Sequence, residues 1–92
     1  MTPSIRRKLD ALAERQQEVA LLLADPAASG DADRFRALSR EFAQLEPLTT
    51  ALARHDAGAA ALVQSEAMLV DADAELRALV EEEIGAQRAE LA

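Results

Sequence analysis

A single imidazole, His55, stands beside Asp56 in this 92-residue chain. A helix-borne metal site built from imidazole and carboxylate needs Glu-x-x-His pairs on facing helices. Position 52 is Leu and there is no second His, so His55 reads as a structural or partly exposed histidine. Glu81-Glu82-Glu83 offers three carboxylates. Consecutive helical residues point about 100° apart and do not converge on one ion, so this run reads as a solvated acidic face, with recognition of a basic partner as the functional alternative. Arg34, Arg36 and Arg40, together with Arg6, Arg7 and Lys8, form the one set of cations able to meet RNA or an acidic partner. Arg36 and Arg40 are a turn apart with Glu41 close by, so intrahelical pairing competes with that role. No aromatic platform for base stacking accompanies them. Arg34, Arg36 and Arg40 are the candidate contact residues.

Other chemistry is excluded by what is missing. Without Cys there is no disulfide, thiolate metal site or cysteine nucleophile. The three glycines, at 30, 58 and 85, are isolated, so no glycine-rich loop can cradle a phosphate. The expectation is a domain that is not an enzyme, with no catalytic residue, no cofactor and no metal. No apolar run approaches the ~20 residues needed to cross a membrane, and the basic start lacks the apolar segment of a secretory signal. A cytoplasmic location follows as the expectation.

The elements that must carry these residues are helices. Of 46 hydrophobic residues 22 are Ala and 14 Leu, against four Val, two Ile, two Phe and neither Trp nor Tyr. Such a mixture suits helices and not sheets. Ile5, Leu9, Leu12, Gln16, Val19 and Leu23 make one amphipathic stripe, with Thr2 as N-cap and Pro3 at the first helical position. Leu21 and Leu22 widen it, which predicts cover on two sides. Asp25-Pro26 ends the helix. The second stripe starts at a cap on Asp31 or Asp33 and runs Phe35, Leu38, Phe42, Leu45, Leu48, Leu52, His55, Ala59, Leu62, Glu66, Leu69. Pro47 predicts a kink near residues 43–47 in one continuous helix, and Gly58, costing about 1 kcal/mol against Ala, is its weaker point. Asp71-Ala72-Asp73 turns into a third helix whose apolar residues are Leu76, Leu79, Val80, Ile84 and Leu91.

The predicted fold is all-α: one helical domain over 1–92, an elongated antiparallel three-helix hairpin or bundle with helices at about 3–24, 32–69 and 73–92 and a long, kinked central helix. The helical pattern is still running at Ala92, which reads as a piece of a longer chain. A truncated third helix predicts thin cover over Leu45 to Leu52 and self-association there. Charge is uneven. Residues 1–54 hold eight basic and eight acidic side chains, while residues 55–92 hold two basic against nine acidic, so the net charge of −7 lies in that last part. Phosphate tracking needs positive charge, which leaves no expectation of sequence-specific nucleic-acid binding and none of a membrane partner.

The order of residues resembles a known family. Pro3-Ser4-Ile5, Leu9, Leu12, Glu14-Arg15, Glu18-Val19 and Leu22-Leu23 are similar to the start of a bacterial class-1 peptide chain release factor. The similarity is strongest over Arg34-Phe35-Arg36-Ala37-Leu38-Ser39-Arg40-Glu41-Phe42-Ala43-Gln44-Leu45, a stretch typical of the release factor 1 branch, where tyrosine is common at the place of Phe42. Met68-Leu69 before an acidic turn also fits. The resemblance implies the family's N-terminal helical domain, in a protein that directs release of the nascent peptide at UAA and UAG. It implies ribosome contacts at the stalk base of the large subunit, while codon reading and the Gly-Gly-Gln loop of peptidyl-tRNA hydrolysis belong to other domains. Pro47-Leu48-Thr49 matches the branch's Pro-x-Thr codon-reading tripeptide but lies mid-helix in the wrong domain, and reads as coincidence. The rival function is a free-standing helical adaptor that binds a partner helix or protein.

Overall fold

A computed structural model describes all residues from Met1 to Ala92. The fold is all-α, with α1 at Pro3–Ala24, a long central α2 at Ala32–Met68 and α3 at Ala74–Leu91. Short 3-10 turns at Ala28–Gly30 and Leu69–Asp71 link them, and no strand is present.

Local chemistry sets the helix ends. The Thr2 hydroxyl accepts from the Ile5 N–H at 3.2 Å, with Pro3 entering the first turn. Asp25 leaves α1 with extended backbone, and its carboxylate accepts from the Ala27 N–H at 3.0 Å. Of the two candidate caps for α2 it is Asp31 that serves, accepting from the Arg34 N–H at 3.1 Å. Asp33 lies in the first turn, where negative charge favours the helix dipole. Asp73 caps α3, accepting from the Leu76 N–H at 2.8 Å.

The central helix runs unbroken for 37 residues through both Pro47 and Gly58. Gly58 does not end it, because no backbone conformation there departs from the helical one. Pro47 offers no N–H to the Ala43 carbonyl, yet the helix continues on either side. Just after it, the Thr49 hydroxyl bonds back to the carbonyls of Leu45 and Glu46, each at 3.2 Å.

Contacts group the chain into two compact units, Met1–Leu52 and Ala53–Ala92. In the first, α1 lies antiparallel to the opening part of α2, with Val19, Ala28, Leu38, Leu45 and Leu52 buried. In the second, the rest of α2 lies antiparallel to α3 around Val80, Ile84 and the buried Ser65. Each core is thin, as an alanine-diluted chain allows.

Several expected core positions are corrected by the structure. Leu48 is 45% exposed and Thr49 takes the inward place, so the stripe steps Leu45, Thr49, Leu52. The back-bonded hydroxyl makes this tolerable, since Thr49 buries no unpaired donor. Phe35 and Glu66 are also exposed, with Ser65 buried in place of the latter. Leu21 stands 74% exposed, so the end of α1 is covered through Leu22 and Leu23 on one side only. Ile5 is exposed as well. On α3, Val80 and Ile84 turn inward and leave Leu76 and Leu79 outside. Of the stretch from Leu45 to Leu52 where thin cover was expected, Leu45 and Leu52 are buried within the first unit and Leu48 alone of the three leucines stays exposed.

Candidate interaction surfaces

Arg34, Arg36 and Arg40 all lie exposed on the first turns of α2. They do not act as one set. Arg36 is taken up by Asp33, with Nη2 donating to Oδ1 at 2.5 Å, whereas Arg34 and Arg40 stand free of ion pairs. Arg6, at the start of α1, donates to Asp10 at 3.0 Å. Glu41, which sequence proximity places beside Arg36 and Arg40, bonds neither of them.

Glu41 instead receives a two-pronged contact from Arg15 on the facing helix. Arg15 Nε donates to Oε2 at 2.6 Å and Nη2 to Oε1 at 2.8 Å, while Nη1 lies 3.1 Å from Glu18. The paired hydrogen bonds from Arg15 hold the Glu41 carboxyl below its usual range, against a smaller opposing effect of partial desolvation. The same bonds to Glu41 raise the Arg15 guanidinium above its ordinary value. Five residues further along α2, Gln16 donates to Glu46 at 2.8 Å. These two contacts, 26 and 30 residues apart in sequence, set the register of α1 on α2. Nothing in the linear sequence pointed to them, because either Arg15 or Glu41 alone looks like any exposed helical charge.

The second unit has a different electrostatic character. Three basic residues, Arg54, Arg77 and Arg88, face nine acidic ones. Arg77 spends its guanidinium on the Leu69 carbonyl at 3.3 Å, closing the turn, and Arg88 reaches Glu66 at 3.4 Å. Glu81, Glu82 and Glu83 are exposed along α3, and Glu83 meets only the amide of Gln87, at 3.5 Å. His55 is half-exposed, its Nδ1 3.5 Å from the Asp56 carboxylate. No group of three or more potential ligands gathers around a common point. This geometry can bind a charged or apolar surface.

Residues 12–92 match the PCRF domain, the domain of peptide chain release factors. The chain belongs to this family. No solved structure matches it. The release-factor match begins inside α1 and takes in both units, so it spans the Arg15–Glu41 register contact and the acidic α3 alike. Membership makes the chain a class-1 release factor N-terminal domain and places it in translation termination, in a full-length protein that engages the ribosome. No helix of this release-factor domain is long and apolar enough to cross a membrane.

Proposed function

We propose that this chain is the N-terminal domain of a release factor of the release factor 1 branch, serving termination at UAA and UAG. Its role is to contact the large ribosomal subunit at the stalk base and to position the protein there, in the cytoplasm. Codon reading and peptidyl-tRNA hydrolysis lie outside it, and the domain itself is not an enzyme. The observation that carries the reading is the family match over residues 12–92. The Arg34–Leu45 block, which resembles that branch, supports the finer assignment. Exposed charges and apolar side chains on its helices supply the binding surface that an accessory role needs. Arg34 and Arg40, exposed and free of ion pairs, are the proposed cationic contacts in the first unit.

A peptide-release assay tests it. Ribosomes holding a labelled peptidyl-tRNA are programmed with UAA, UAG or UGA. The full-length protein should release peptide at UAA and UAG and not at UGA, and the 92-residue chain should release none at any codon. Release at UGA would remove the branch assignment. Release by the 92-residue chain alone would contradict the accessory role.

A further inference from the structure

The outward face of α3 carries apolar side chains that no part of the second unit covers. Leu76 and Leu79 are a turn apart on one face, and Leu79 is 65% exposed. Glu75, Glu82 and Glu83 each lie three or four positions from Leu79, all of them exposed, at the spacings that make helical neighbours. Val70, 79% exposed in the 3-10 turn, and Met68, 53% exposed at the end of α2, add apolar side chains in the turn that leads into α3. Together these side chains expose on the order of a few hundred Å², the size at which an apolar patch on a small protein marks an interaction surface.

Charge selects the occupant. The carboxylates around the leucines lack cationic partners, because Arg77 is held by the Leu69 carbonyl and Arg88 by Glu66. In the first unit, by contrast, Arg6, Arg15 and Arg36 each pair with an acid. A nucleic-acid backbone or an anionic bilayer would be repelled by this face. A second copy would bring like charges together around the same leucines, which is costly at an interface. We infer that this face of α3, with Val70 and Met68, docks a protein surface that presents an apolar depression ringed by Lys and Arg. The patch is well below the ~800 Å² per partner of a stable complex, so the contact is transient and salt-sensitive.

The inference deepens the ribosome-contact reading and rests on it for its probe. The 92-residue chain is titrated against three preparations: large ribosomal subunits, total protein extracted from them, and their phenol-extracted rRNA. The expected result is binding to subunits and to the protein fraction, weakening as NaCl rises, with no binding to the rRNA. Val70→Asp with Leu79→Asp should weaken it at least tenfold, and Glu82→Lys with Glu83→Lys should do the same. All four positions are exposed, so helix content by circular dichroism should stay at the parent's value. Subunit binding unchanged in both double variants would overturn the docking surface and leave the ribosome reading standing. Binding to rRNA alone would overturn the protein partner. A two-chain mass in solution that the Val70→Asp, Leu79→Asp variant abolishes would show that a second copy covers the face, and would also overturn it. Binding to none of the three preparations would contradict the ribosome reading and this inference together.

Discussion

Substituting Gly58 by Ala sets helix propensity against crowding, and the structure gives both magnitudes. Gly58 lies inside α2 with an ordinary helical backbone, so Ala fits there without strain. Replacing an interior helical Gly by Ala is worth about 1 kcal/mol. Against this, the new Cβ would lie 3.3 Å from Leu91 Cδ2 and 3.9 Å from Leu91 Cγ. The first distance is tight and asks Leu91 to move by a few tenths of an ångström. Leu91 is the last residue of α3 and only half-buried, so its side chain can turn aside at small cost. Gly58→Ala should therefore raise stability by about 0.5–1 kcal/mol, a rise of several degrees in melting temperature for a domain of this size. Urea unfolding followed by circular dichroism reads the change. In a Leu91→Ala background the crowding vanishes, and the gain should rise to the full ~1 kcal/mol. Destabilisation in the parent alone would mean that the end of α3 is held more firmly than its exposure implies. Destabilisation in both backgrounds would refute the reasoning, since an uninterrupted α2 could not then be the conformation at Gly58.

Three further outcomes follow from the packing and charge of the first unit. Val19 is fully buried, so Val19→Ala should cost about 2 kcal/mol through two lost methyl groups and the space they leave, measured by urea unfolding. Pro47→Ala restores a donor to the Ala43 carbonyl and should stabilise by up to about 3 kcal/mol; a lower melting temperature would mean that packing in the first unit depends on the proline. The Glu41 carboxyl is held below its ordinary value, so its contribution is present above the ordinary carboxylate pKa and is lost as pH falls through the lower folded value. Wild type should accordingly lose more stability than Glu41→Gln between pH 7 and pH 3, and equal losses in thermal melts would contradict the pairing with Arg15.

Features set by a few neighbouring residues were readable from the sequence. Thr2 with Pro3, Asp25 before Pro26, and Asp73 each fix a helix end through bonds to residues two or three positions away. The leucine spacing likewise showed three helices and a long central one. The phase of each stripe was harder to read. Three leucines in a row at 21–23 satisfy the period whichever way the helix turns, and only the partner helix leaves Leu21 outside. Leu48 and Thr49 exchange roles because a hydroxyl that bonds back to its own helix loses its objection to burial. Leu76 and Leu79 fit the helical period as well as Val80 and Ile84 do, and packing on α2 chose the latter. The candidate site divides the same way. Arg34, Arg36 and Arg40 are exposed as expected, but the loss of Arg36 to Asp33 and the claim of Arg15 on Glu41 depend on side-chain reach and on a contact 26 residues away.

Sedimentation of the 92-residue chain with purified ribosomal subunits tests the positioning role most directly. Salt-sensitive association with the large subunit is expected, weakened when Arg34 and Arg40 are replaced by Glu, and none with the small subunit. Absence from the large-subunit fraction at low salt, or equal recovery with both subunits, would contradict it.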